Sequence, residues 1–349
     1  PYDRTSPNPE ICATRMNTLA RLVGQEAPKA PSILLTTINA SLQRLAPRDS
    51  IAGAVFQAGI GADLVADELL EFLVRNGYSR TGTVMEPGEF ATRGGIVDIY
   101  PAGAESPVRL DFFGDTLESI RLFDPLTQIT TGTGQTLNLV PVSEVQLTEE
   151  TTDRFRQTYR ELFGAVTDED PLYASIREGR RHAGMEHWLP LFYEQMETVF
   201  DYVGAGLITL DHQCLEARDD RLAQVEDYYQ ARVEAQKNPY GGAPPYKPVP
   251  PQRLFMDATA WDQAIAARPG GVYSPFNAPE ALNVVDFGGR QGRNFAAERA
   301  QADINVFDAL RGHVNEQRQR GRRVVFAAFS IGSAERMALL LDDHGIEGV

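Results

Sequence analysis

The sequence predicts an α/β protein with a β-rich segment in its first half. Apolar and other residues alternate through 95–100 and again through 107–113, which is the period of a half-buried strand. Apolar residues recur at helical spacing between Gly61 and Asn76. Two short apolar runs, 32–37 and 324–329, are typical of buried strands in a parallel sheet. Helices and buried strands on both sides of the β-rich segment indicate α/β domains.

The β-rich segment contains a predicted hairpin. Gly114-Asp115 fits a tight two-residue turn between a strand at 107–113 and a returning strand at 116–123. Because successive side chains of a strand point to opposite faces, the first strand has two distinct sets of side chains. The set expected in the core is Val108, Leu110 and Phe112, and the set on the opposite face is Arg109, Asp111 and Phe113. The threonine and glycine residues of 130–136 are interpreted as a connector.

The face with Arg109, Asp111 and Phe113 allows two interpretations. An exposed ring beside an arginine is typical of a docking site, because aromatic residues and arginine carry much of the energy of protein interfaces. Alternatively, another element covers Phe113, and Arg109 and Asp111 form an ordinary surface pair. The strand pattern alone favours the second interpretation, since scattered apolar residues are common on protein surfaces.

Helix signals flank this segment. Asn8-Pro9 has a capping residue followed by proline at the first helical position, and Asp170-Pro171 repeats the pattern. In the 61–76 helix, Gly77 stands where a left-handed residue would end the helix. The apolar stripe of that helix is Val65, Leu69, Phe72 and Leu73.

Composition limits the classes of function. A chain of 349 residues with 42% hydrophobic residues is long enough for two or three folded domains. The net charge of −15 disfavours binding of duplex DNA by this chain alone, because such binding requires basic residues to displace counterions. Cys12 and Cys214 lie far apart, which suggests a reducing compartment. The sequence has neither a leader nor an apolar run of about 18 residues, so we expect a cytoplasmic protein with no membrane partner. Because it begins with Pro1, we expect a processed chain or a fragment.

No catalytic motif is found. The chain lacks the G-x-x-x-x-G-K-[ST] phosphate loop, zinc-ligand spacing and a G-x-S-x-G elbow, so we expect no catalytic residue, metal or cofactor within it. The glycine-rich basic stretch 288–293 allows either a phosphate contact or a flexible linker. It follows no clear strand and precedes no clear helix, which favours the linker.

Two motifs carry a resemblance to a known family. Residues 89–101 read EFATRGGIVDIYP and residues 109–115 read RLDFFGD. Both resemble the UvrB-homology region of the bacterial transcription-repair coupling factors, the Mfd family, and are shared in outline with UvrB. The stretches PYDRTSP at 1–7, TTINA at 36–40 and GMEHWLPLFY at 184–193 agree with the coupling factors. The resemblance is strong to about residue 262 and weaker beyond it.

The resemblance implies a degenerate RecA-like, helicase-like α/β domain that is split by an inserted β-rich α+β domain. The implied boundaries are 1–54 and 142–262 for the split domain, 55–141 for the insert, and 263–349 for a linker and a partial small α/β domain. In that family the insert recruits the damage-recognition protein UvrA. Carried over by motif, the residues that contact UvrA are Arg93, Arg109 and Phe113.

The resemblance also implies what lies outside the chain. ATP, Mg²⁺ and duplex DNA belong to a motor in the other half of the parent protein, and RNA polymerase binds a domain between. The alternative is a fragment of UvrB or a related nucleotide-driven helicase, and a third possibility is a DNA-holding scaffold. For the UvrA-recruiting hypothesis, Arg109→Ala and Phe113→Ala are expected to weaken UvrA binding while leaving the fold intact.

Overall fold

The computed structural model describes residues 2, 5–24, 32–166, 170–237, 246–276, 279, 281–301 and 303–348. The chain forms two compact units, Pro1–Ser274 and Pro275–Val349. Among the described residues, no helix is both long enough and apolar enough to cross a membrane.

The first unit begins with short elements that precede the β-rich segment. The Asn8 side chain accepts a hydrogen bond from the Glu10 amide, as the capping pattern predicted. The helix predicted over 61–76 starts later, at Ala66, and its residues Leu69, Phe72 and Leu73 are buried. The elements are α1 (Pro9–Val23), α2 (Ile38–Ser41), β1 (Arg44–Leu45), α3 (Arg48–Ala52), β2 (Phe56–Gly59) and α4 (Ala66–Arg75).

A six-stranded sheet follows. Its spatial order is the chain order; the first two strands are parallel, and all other neighbouring strands are antiparallel. The strands are β3 (Ser79–Arg80), β4 (Glu89–Arg93), β5 (Ile96–Ile99), β6 (Val108–Phe113), β7 (Thr116–Phe123) and β8 (Thr130–Gly134). The predicted hairpin is confirmed: Phe113 pairs with Thr116, and Gly114 adopts a φ of 60°, which suits glycine in a tight turn.

The prediction of a connector over 130–136 is wrong. Residues 130–134 form the edge strand β8, because its β-branched threonines suit a strand and its glycines pack against β7. An added Cβ at Gly134 would lie 3.2 Å from Ile120 Cγ2, so a small residue lets the two strands approach. The next strand, β9 (Thr136–Leu139), leaves this sheet and pairs with β2.

The rest of the first unit is mostly helical. The strands Ile208–Asp211 and Gly270–Tyr273 form a parallel pair, and the strand Glu197–Thr198 pairs antiparallel with β1. The elements are α5 (Glu149–Phe163), α6 (Pro171–Arg177), a 3₁₀ helix (Met185–Leu191), β10 (Glu197–Thr198), α7 (Val199–Val203), β11 (Ile208–Asp211), α8 (Cys214–Lys237), α9 (Pro251–Leu254), α10 (Ala258–Ala266) and β12 (Gly270–Tyr273).

Two large hydrophobic cores hold this unit together. One core lies under the six-stranded sheet and contains residues from 56 to 142, including Leu69, Phe90 and Leu110. The other core combines residues before position 56 with residues after position 139. Both tryptophans, Trp188 and Trp261, belong to this second core. The segments that precede and follow the sheet in sequence therefore pack together, although more than 80 residues separate them.

The prediction of a buried strand at 32–37 is wrong. These residues form no helix or strand, and Ile33 and Leu35 are 87% and 88% exposed. A buried parallel strand requires a neighbouring strand, and this run pairs with none among the described residues. Its apolar composition suits a strand but does not supply a partner.

The described residues of the second unit, Pro275–Val349, form three helices: α11 (Ala296–Arg299), α12 (Val306–Gln319) and α13 (Ile331–Asp343). A small core joins Val314, Leu341 and Ile346. The strand predicted at 324–329 is absent from the described structure, and Phe329 is exposed. The stretch 288–293 is exposed and has neither helix nor strand.

Candidate functional site

The outer face of the six-stranded sheet is the face opposite its large core, and a small buried cluster of Val84, Ala91 and Phe123 covers part of it. The strand register and the alternation of side chains along each strand place ten residues on this face. Nine of them form two neighbouring rows that cross the strands, and the tenth lies at the end of β6. One row joins Ala91, Asp98, Arg109, Arg121 and Thr133. The other joins Arg93, Ile96, Asp111 and Ser119, and Phe113 lies at the end of β6. All three residues predicted to contact UvrA, Arg93, Arg109 and Phe113, therefore share one face.

Phe113 is the exposed aromatic residue of this face. Its side chain is 79% exposed and lies beside the turn that joins β6 to β7. On the opposite face, Val108 and Leu110 are buried, and Phe112 packs against the core. The predicted division of the strand into two faces is therefore confirmed. No described element covers the Phe113 ring, in contrast to the interpretation that placed it under a neighbouring element.

Arg109 is paired with an acid on the neighbouring strand β5. Its Nε and Nη2 donate to the two carboxylate oxygens of Asp98, at 2.7 and 2.9 Å. The Asp98 side chain is only 3% exposed and that of Arg109 is 18% exposed. The guanidinium also lies 4.8 Å from the centroid of the buried Phe123 ring. The hydrogen-bonded Asp98 carboxylate raises the pKa of Arg109, which keeps the guanidinium charged.

The interpretation of Arg109 and Asp111 as a surface pair is wrong, because each residue has a different partner. Arg121 donates to Asp111 from Nε at 3.0 Å and from Nη2 at 2.7 Å. The Ser119 hydroxyl also donates to Asp111. Burial raises the pKa of the Asp111 carboxyl, but these hydrogen bonds outweigh burial and hold the pKa below its usual value. The sheet register, rather than proximity along one strand, selects both ion pairs.

Arg93 lies at the exposed end of β4. Its Nη2 donates to the carbonyl oxygen of Gly82 at 2.8 Å and to the Thr83 hydroxyl at 3.3 Å. Its backbone pairs with Ile96, which in turn pairs with Asp111 on β6. Arg93 therefore forms the β4 side of the same face. The described residues contain no group of three or more His, Cys, Asp and Glu suited to a metal ion.

The outer face therefore combines an exposed aromatic ring with pre-positioned guanidinium groups. Such an arrangement suits recognition of a partner surface that offers an apolar pocket next to carboxylates. Arg121 was not singled out in the sequence, although it alternates with the apolar residues Ile120 and Leu122 in the same strand pattern. Only the register of β6 with β7 places it directly opposite Arg109.

Comparison with known proteins identifies the region that contains this face. Residues 57–145 match the family described as the UvrB interaction domain. Curated transcription-repair-coupling factors also match the chain. Those of Haemophilus influenzae and Escherichia coli are both 33% identical, over 77% and 73% of this chain and 23% and 21% of their own length. That of Rickettsia bellii is 29% identical over 99% of this chain and 29% of its own length.

The chain belongs to the transcription-repair-coupling factor family. It spans less than a third of the length of these coupling factors. The part that matches the UvrB interaction domain includes every strand of the six-stranded sheet. Arg93, Arg109 and Phe113 therefore lie within the UvrB interaction domain of a coupling-factor chain.

Proposed function

We propose that this chain is the UvrA-recruiting region of a transcription-repair-coupling factor, and that it links stalled RNA polymerase to nucleotide excision repair. The observation that carries the proposal is the exposed Phe113 ring on the outer face of the UvrB interaction domain. UvrA binds this face through Phe113, Arg109 and Arg93. The chain itself acts by binding and contributes no catalytic residue.

The physical support is the free-energy cost of leaving the Phe113 ring exposed to water. A large aromatic side chain in water gains free energy when a partner buries it, and such residues dominate the energetics of interfaces. Phe113 lies beside charged groups that are already satisfied within the chain, because Asp98 and Asp111 each hold an arginine. Since the guanidinium groups are fixed before binding, little side-chain entropy is lost when the partner arrives.

We also propose that the two cores correspond to a degenerate helicase-like domain and its insert. The core that combines both flanking segments is the split domain, over 1–54 and 142–262, and the core under the sheet is the insert, over 55–141. Residues 263–349 are a linker and a partial small α/β domain. The buried residues of the two cores support this division, because those of the core assigned to the split domain lie before position 52 and after position 144, whereas those of the core assigned to the insert lie between positions 64 and 139.

In the whole coupling factor, we assign ATP, Mg²⁺ and duplex DNA to a translocating motor outside this chain. RNA polymerase binds another missing domain, and the complete protein works in the cytoplasm. The chain has a formal charge of −15, which fits a module that binds a protein rather than a nucleic acid.

The test compares two exposed apolar residues of the same domain. Phe113 and Leu126 are both 79% exposed, but they lie at opposite ends of β7. Phe113→Ala is expected to weaken binding to UvrA by about 30-fold, corresponding to roughly 2 kcal/mol for the loss of a hot-spot residue. Leu126→Ala is expected to bind UvrA as the wild type does. The measurement is isothermal titration calorimetry with purified UvrA. Equal affinities for the two variants would contradict the assignment of Phe113 as the anchor.

A further inference from the structure

A third guanidinium, that of Arg121, lies on the outer face beside those of Arg93 and Arg109 and has no assigned role. Arg121 of β7 pairs in register with Arg109 of β6, so the two arginines are direct cross-strand neighbours. Like charges in this position destabilise a sheet. Here a carboxylate beside each arginine offsets the repulsion, with Asp98 on Arg109 and Asp111 on Arg121. The four groups form two ion pairs and carry no net charge.

The two ion pairs differ in how accessible they are. The side chain of Arg121 is 37% exposed, twice the fraction of Arg109, and its partner Asp111 is 24% exposed. Each guanidinium donates through Nε and Nη2, and in the described part of the chain Nη1 of neither arginine has a hydrogen bond. Both arginines therefore retain donors, and Arg121 is the more exposed of the two.

We propose that Arg121 is a further partner-contacting residue, and that Arg109 and Arg121 together bind a carboxylate-bearing segment of UvrA. The inference rests on the proposed function. Two adjacent guanidinium groups provide planar, charge-assisted donors that match carboxylate oxygens. The acids Asp98 and Asp111 fix both groups from within the sheet, so the donors are ordered before the partner arrives. Phe113 then supplies the apolar anchor on the same face.

Arg121 is also the more suitable of the two arginines for mutation. Removing it leaves Asp111 partly exposed to water and still hydrogen-bonded to Ser119. Removing Arg109 instead leaves Asp98 buried without its cation. A loss of binding in Arg121→Ala is therefore less confounded by loss of stability.

The experiment measures UvrA affinity for the wild type, Arg121→Ala and the control Arg75→Ala. Arg75 is an exposed arginine of the same domain, on the helix that packs into the core under the sheet. Arg121→Ala is expected to bind about tenfold more weakly than the control. Its affinity should also fall less steeply with salt than that of the wild type, because one interfacial charge is lost. Urea midpoints of both variants establish that the domain is folded.

The outcomes separate this inference from the proposed function. If Phe113→Ala loses affinity while Arg121→Ala matches Arg75→Ala, the role of Arg121 is overturned and the proposed function stands. If Arg121→Ala loses affinity but keeps the salt dependence of the wild type, the residue acts only through the structure of the sheet, and the inference also fails. If the wild type does not bind UvrA, both the proposed function and the inference fail.

Discussion

Arg109→Ala is expected to destabilise the sheet domain, in contrast to the sequence-based expectation that the fold remains intact. The substitution removes both hydrogen bonds to Asp98, at 2.7 and 2.9 Å, and the contact with the Phe123 ring. Asp98, whose side chain is 3% exposed in the intact protein, is left without a cation. Breaking a buried pair by removing one partner costs about 3–5 kcal/mol, whereas an exposed pair is worth about 1 kcal/mol or less. This cost is a large fraction of the stability of an ordinary domain.

The assay is urea unfolding followed by far-ultraviolet circular dichroism. Tryptophan fluorescence is less suitable, because Trp188 and Trp261 both lie in the core outside the sheet domain. Adding Asp98→Asn to Arg109→Ala is expected to recover much of the lost stability, because the remaining buried group is then neutral. The control is Arg80→Ala, which removes an exposed arginine whose side chain donates to the Thr92 hydroxyl. A midpoint for Arg109→Ala equal to that of Arg80→Ala would refute the reasoning.

Two further predictions concern stability. Gly114→Ala should lower the free energy of unfolding by about 1 kcal/mol, because φ is positive but the space around the added Cβ is open. Gly103→Ala should lower it at least twice as much, because the added Cβ would also overlap Asn17. Urea midpoints of both variants test this, and equal losses of stability would contradict it. At Asp170, burial raises the pKa of the carboxyl. The hydrogen bonds that Asp170 accepts from Lys247, Tyr159 and the Tyr173 amide outweigh burial, and the net result is a lowered pKa. A lowered pKa in the folded state stabilises the protein above about pH 4, and this stabilisation disappears as the pH falls through the folded-state pKa. Asp170→Asn should therefore cost about 1.5–3 kcal/mol at pH 7 and progressively less below pH 4; a deficit that does not change between pH 7 and pH 3 would argue against this coupling.

The local features of the sheet were predictable from the sequence. The hairpin between β6 and β7 follows from the alternation of side chains and from Gly114, because both signals depend on neighbouring residues only. The same alternation separated Phe113 from the buried Leu110. Strand β8 was missed because threonine and glycine suit both a loop and an edge strand, and pairing with β7 decides between them.

Non-local pairing decided the remaining features. The apolar runs 32–37 and 324–329 have the composition of buried strands, yet neither lies in a strand of the described structure. The sequence alone determined which residues of β6 share a face, because that depends on the period of a strand. Only the tertiary structure decided that Arg109 forms an ion pair with Asp98 and that Arg121 lies opposite Arg109, because contacts between strands depend on strand order and register.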